Sequence, residues 1–355
     1  MRCLTTVAAA LVALLCGCST PAALVQQTIT SVTPSSTGIP NSIATFGNFE
    51  FVSVQGTGQI FTYNFSSGSQ VLAAPAYTTP CKDPSGMVVT TIAGNTVMAV
   101  VCFDTASLLT LTVHSDGSLS PLGSVGGLAQ PYPGIALDGT NVFVPLFGLS
   151  GLANGAIAKV SIASPANPMI TGSVTMASAA AGQFVNPSYL AVAAGYVYAV
   201  AGSESAPQDD SSTIQVVNEA TMALVGSPLI VAHSPQQIAV QGNVAFVTLF
   251  DASQLESIDI SNPASLRPLQ IAPLASANSS CHALPVVVSS QVAYVGCYEE
   301  AFVEQVDISN PSNLRLTQII TGLTSPQRVV PAGQYLLVPG SVTGGHVYQI
   351  DGIEP

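Results

Sequence analysis

The stretch Glu256–Ile271 reads ESIDISNPASLRPLQI, and 48 residues further on Glu304–Ile319 reads EQVDISNPSNLRLTQI. Near-identity at a fixed interval marks a chain built from stacked copies of one supersecondary unit. In each copy an Asp (Asp259, Asp307) closes a short strand-like run and Ser-Asn-Pro follows it. A carboxylate at that point accepts backbone N–H bonds, and proline pre-sets φ for a turn. Both carboxylates are therefore assigned a structural role, ending the third strand of a unit and opening the turn into the fourth.

Working outward from this pair exposes a longer pattern of Pro-x-x-apolar, an apolar strand, a Gly or polar turn, and a second apolar strand. It reads PQQIAVQGNVAFV from Pro235, PQRVVPAGQYLLV from Pro326, PNSIATFGNFEFV from Pro40, PSGMVVTTIAGNTVMAV from Pro84 and PSYLAVAAGYVYAV from Pro187. Two copies carry Tyr132 or Ala283 in place of the proline. Starts at 40, 84, 132, 187, 235, 283 and 326 leave room for four short strands each, and no segment keeps a 3.6-residue period over helical length. Runs such as VAFV, VAYV and VYAV are apolar on both faces, as sheets stacked between sheets require. The expected fold is all-β: a seven-bladed β-propeller of four-stranded antiparallel blades over residues 23–355. The last copy has space for only three strands before the chain ends, and ALVQQTITSV (Ala23 to Val32) alternates like the missing fourth, so the N-terminal strand is expected to close the last blade.

The segments IDISNPASL and VDISNPSNL resemble the LVIVD repeat of bacterial surface propellers, and VSIASPANP from Val160 is a degenerate third copy. YVTN-type propellers, including lactonase-like members, are similar by pattern. Tryptophan is absent, so the WD40 and Asp-box signatures are too. The resemblance implies an extracytoplasmic binding or scaffold module, with a lactonase-like hydrolase or a metal-binding propeller, its site at the channel mouth, as the alternative.

The N-terminus gives an address. Arg2 precedes the apolar run TVAAALVALL, which is too short to span a bilayer, and LLCGCS follows with Leu15, Gly17 and Cys18. This resembles a bacterial lipobox. It implies a signal peptide over 1–17, lipidation of Cys18, a short tether over 18–22, and anchoring to a membrane surface without spanning it. Ser19 after the cysteine, by resemblance to enterobacterial lipoproteins, implies the outer membrane, facing the periplasm or the cell surface. The remaining 338 residues carry five basic against 18 acidic side chains, too few cations to neutralise a nucleic-acid backbone. Charged residues make up 7 % of the chain, well under the roughly 25 % of ordinary soluble domains, so Ser, Thr, Asn and Gln do the surface work, a habit of proteins outside the cell or facing acid. A monomer is expected, with an envelope protein or a small polar ligand as partner.

Four cysteines lie within the repeats, and four allow three pairings. The repeat alignment chooses among them. Cys81 and Cys281 precede the first strands of blades two and six, and Cys102 and Cys297 follow the second strands. In an antiparallel pair the start of one strand lies beside the end of the next, so Cys81–Cys102 and Cys281–Cys297 are expected. An exported chain is in the right redox compartment for both.

Signatures of familiar catalysis are missing: Gly-x-Ser-x-Gly, His-Glu-x-x-His, a phosphate-cradling Gly-Lys-Ser/Thr and Cys-x-x-Cys-His do not occur. No catalytic residue is assigned. Topology nevertheless gathers the loops entering first strands and those joining second to third strands on one face. These carry Lys82, Asp83, Asp104, Tyr132, Asn186, Asp209, Asp210, Gln237 and Glu300, together with His233, Asp251, His282, Glu299 and Arg328. The last five are the expected ligand-binding set. Imidazole and carboxylate from adjacent blades five and six would suit a divalent cation, and Arg328 with a histidine would suit acid–base chemistry. No other cofactor is implied.

Overall fold

A computed structural model describes residues 27–148, 153–178, 184–203, 212–274 and 281–353. The expected signal segment, Cys18, the expected tether, the start of the expected closing strand (23–26), Asp209 and Asp210 lie outside the described residues. Every sheet in the described part has four antiparallel strands, and there are seven of them, with no helix among the described residues. The innermost strands of blades one to seven are Ile39–Phe46, Pro84–Ile92, Ala136–Asp138, Val185–Ala193, Pro235–Gln241, Ala283–Ser289 and Val330–Ala332. Those of blades three and seven are short, three residues each.

The apolar-on-both-faces runs are explained by the packing. Successive strand residues point to opposite faces, and each face of a blade meets a different neighbour. In the second strand of blade two, Met98, Val100 and Cys102 pack toward blade one, while Ala99 and Val101 pack toward blade three. The core is accordingly a set of seven seams, one per pair of adjacent blades. Leu337 and Val347 of blade seven meet Ile43, Val52 and Tyr63 of blade one, which closes the circle. The strand Ile29–Val32 pairs antiparallel with Val347–Asp351, matching Ile29 to Ile350 and Val32 to Val347. Blade seven thus takes its outermost strand from the N-terminal side of the chain, as the sequence predicts, and the ring is latched.

The repeated turn does two jobs. Asp259 accepts from the Ser261 N–H and Asp307 from the Ser309 N–H, both at 2.9 Å. Arg267 also donates to Asp259 at 2.8 Å, and these bonds hold its carboxyl down at about 2. The turns also clasp the preceding blade. The Ser257 hydroxyl in blade five donates to the Pro311 carbonyl of the blade-six turn at 2.6 Å, and the Leu314 N–H donates to Gln270 Oε1 at 2.6 Å. The degenerate turn of blade three does the same, its Pro165 carbonyl accepting from Thr110 in blade two. Both expected disulfides are present, Cys81–Cys102 and Cys281–Cys297.

Candidate functional site at the ring axis

In five blades the ladder between the two inner strands slips within a few residues of its start. The slips follow Pro40, Pro84, Pro187, Pro235 and Ala283. Such bulges re-aim side chains. The result is a cavity of about 370 Å³ to which all seven blades contribute. The residue directly after the aligned repeat start lines it in six blades: Asn41, Ser85, Pro133, Gln236, Leu284 and Gln327. Tyr189 takes that place in blade four, and Tyr132, Asp83, Gln55, Phe103 and Arg328 complete the wall.

Inner-strand bonds hold this wall rigid. Ser188 donates to the Gln236 carbonyl at 3.2 Å, Thr248 to the Leu284 carbonyl at 2.9 Å, and Gln237 Nε2 to the Gln327 carbonyl at 3.3 Å. The blade-two disulfide sits beside the wall, since Cys102 adjoins Phe103 and Cys81 lies two residues before Asp83. The Phe103 N–H donates to the Asp83 carbonyl at 3.2 Å, and the Asp83 carboxylate accepts from the Gly56 N–H at 3.3 Å.

Arg328 dominates the chemistry. Its Nη2 donates to the Pro133 carbonyl at 3.0 Å, and its guanidinium carbon lies 4.7 Å from the centre of the Tyr189 ring. Tyr189 meets Tyr132 edge-on at 6.3 Å, and Tyr132 stacks on Phe147 at 4.3 Å. Burial pushes the Tyr132 hydroxyl up, with Tyr189 adding to the effect and Arg328 opposing it. The ion pairs among the described residues are Arg267–Asp259 and His282–Glu299. Arg328 is in neither, so this half-buried cation has no carboxylate partner among the described residues.

Of the five residues read from the sequence as ligand-binding, Arg328 alone lines the cavity. His282 and Glu299 come together, Nδ1 to Oε1 at 3.1 Å, and the imidazole stacks on Phe250 at 4.4 Å. Asp251 accepts from the Ser234 hydroxyl. His233 and His282 both hold left-handed backbone, φ 64° and 50°, just before an innermost strand, a conformation in which histidine is enriched. Among the described residues no three His, Cys, Asp or Glu side chains gather closely enough to hold a metal ion. Two larger grooves, about 420 and 670 Å³, lie on the opposite face, between blades six and seven and between blades one and two. Each is lined by turns of two neighbouring blades, and neither contains a lysine or arginine. The residues after the repeat start were missed in the sequence. Their signal was available: one chemically varied position at a fixed place in an otherwise apolar pattern.

Seven four-stranded blades around one axial cavity define a β-propeller. Within it the LVIVD repeat matches residues 234–268 and 282–321, the two copies that hold the repeated Asp-Ile-Ser-Asn-Pro. Similar solved structures are propellers or their relatives. Virginiamycin B lyase from Staphylococcus aureus superposes with a TM-score of 0.66 at 10% identity, over 92% of this chain and 100% of that one. The periplasmic gluconolactonase of Pseudomonas aeruginosa gives 0.65 at 15% identity, over 88% and 89%. BamB from Moraxella catarrhalis gives 0.53 at 10% identity, over 89% and 84%. These are likenesses of fold. No curated protein matches by sequence.

Proposed function

We propose that this chain is a lipid-anchored, extracytoplasmic propeller that serves as a binding module at the bacterial cell envelope, its ligand seated in the axial cavity around Arg328. The observation that carries the reading is a cation without a carboxylate partner among the described residues, set in a wall to which all seven blades contribute. A preformed cavity with a few convergent polar groups is the usual form of a small-ligand site. Two disulfides within blades support an oxidising compartment, and Leu15, Gly17 and Cys18 supply the anchor.

Two measurements test this. Cys18→Ser should release the protein from the membrane fraction; a variant that stays membrane-bound removes the anchor from the account. The melting temperature of the protein should rise with a ligand drawn from lactones, sugars and divalent cations, and ligand at about 100 times its dissociation constant adds roughly 2.7 kcal/mol to the folded state. A shift that survives Arg328→Gln would move the site elsewhere. Turnover of a lactone in the same panel would favour a hydrolase, a reading weakened by the absence of His233 and His282 from the cavity wall.

A further inference from the structure

The axial cavity also indicates what it takes. Resting on the binding-module reading, we propose that the ligand is a small hydroxylated monocarboxylate of the sugar-acid class, with its carboxylate on Arg328 and its hydroxyls on the amide wall.

Charge argues first for an anion. Arg328 spends one Nη2 hydrogen on the Pro133 carbonyl and one face on Tyr189. A guanidinium carries five N–H donors in a planar fork, so donors remain, and their best partner is a carboxylate bound through two parallel bonds. The anion must carry a single charge. No second lysine or arginine lines the cavity, and the chain as a whole is strongly acidic, so a polyphosphate would be repelled.

The rest of the wall identifies the body of the ligand. Asn41, Gln236 and Gln327 each present donor and acceptor atoms, the match for hydroxyl groups that both give and accept. Asp83 adds an acceptor, already steadied by Gly56. At the rim the Phe103 side chain is 45% exposed, an apolar ring beside polar groups, suited to the C–H face of a sugar. A cavity of about 370 Å³ is at the small end for ligand sites, roughly 300–1,000 Å³, and holds a molecule of one or two rings. A fatty acid has the carboxylate but would bury the amides without partners.

Titration calorimetry on the protein expressed from Met1 tests this with glucuronate, gluconate, glucose, acetate and serine. Glucuronate or gluconate should bind at least about 10-fold tighter than glucose or acetate, since each of the latter lacks one half of the recognition. Arg328→Gln should weaken sugar-acid binding by about 10- to 100-fold, and Arg328→Lys should lose less, because it keeps the charge without the fork. Circular dichroism spectra matching the parent protein's and a cooperative melt for both variants, even at a somewhat lower temperature, would confirm that the fold is intact. Two outcomes overturn the ligand class while leaving the cavity as the site: glucose binding as tightly as glucuronate, or serine binding best, each lost in Asn41→Ala or Gln236→Ala. Binding of any probe that ignores Arg328, Asn41 and Gln236 overturns the class and the site together, as does no binding by any probe.

Discussion

Arg328 in blade seven donates to the carbonyl oxygen of Pro133 in blade three at 3.0 Å, linking blades on opposite sides of the ring. Neighbouring blades are joined by apolar seams, but this bond joins blades with no seam between them. Arg328→Ala removes it and the packing on Tyr189, leaving the Pro133 carbonyl with its one remaining bond, from the Ile135 N–H at 2.9 Å. The expected cost is about 1–3 kcal/mol, read as a lower denaturant midpoint. An unchanged midpoint would mean that the arginine serves the ligand alone.

The blade-two disulfide should matter to both stability and site. It closes a loop with a sequence separation of 21, for which chain entropy gives about 3 kcal/mol. The Cys81→Ala/Cys102→Ala double variant should melt lower and also bind ligand more weakly, because Asp83 and Phe103 flank the bridge. Cys281→Ala/Cys297→Ala, beside neither residue, should lower the melting temperature with little effect on binding.

Glu50 sets an unusual pH dependence. It is fully buried, and burial raises its carboxyl to about 8 although Gln70 donates to it at 2.7 Å. Burial likewise raises Glu256 to about 7. A carboxyl that holds its proton more tightly when folded contributes its full stability below the unfolded value of about 4.5, and loses it as pH rises through the folded value. Stability should therefore fall between about pH 5 and pH 8, by an amount on the order of a few kcal/mol. Asp259 and Asp307 work in the opposite sense. Bonds from Arg267 and Ser261 lower the first and bonds from Ser309 the second, so their contribution is present above about pH 4 and lost in stronger acid. Melting scans across pH should peak between these limits. Glu50→Gln, which mimics the protonated side chain, should flatten the neutral-to-alkaline limb; a limb of unchanged slope would contradict this.

Ser257→Ala tests the clasp between blades. It leaves the Pro311 carbonyl without its 2.6 Å donor, at a cost of about 1–3 kcal/mol. Ser261→Ala, which keeps its backbone N–H on Asp259 and loses only an exposed hydroxyl bond to the same carboxylate, should cost far less. Equal losses in urea titrations would remove the clasp from the account.

The ring was legible because the forces that make it act on every copy. Runs such as Val244–Val247 are apolar at consecutive positions, which only a strand covered on both faces tolerates, and the cysteines sit at matched points of two copies. The turn at Asp259 was legible as local chemistry, but its grip on the preceding blade was not. Ser257 looks like any strand serine until the neighbouring blade brings Pro311 against it. The site divides in the same way. Arg328 stood out as one of few cations, whereas His233 and His282 stood out by residue type and are placed by left-handed backbone and by Phe250 and Glu299. Asn41 and Gln236 went unnoticed because the slip in the ladder that turns such positions to the axis depends on pairing, not on composition.

Phenylglyoxal mapping by mass spectrometry tests the axial site most directly, since Arg267, Arg315 and Arg328 are the only arginines after Arg2. With saturating glucuronate, Arg328 should lose its reactivity while Arg267 and Arg315 keep theirs. Arg328 reacting at the same rate with and without the ligand would contradict a carboxylate site at the ring axis.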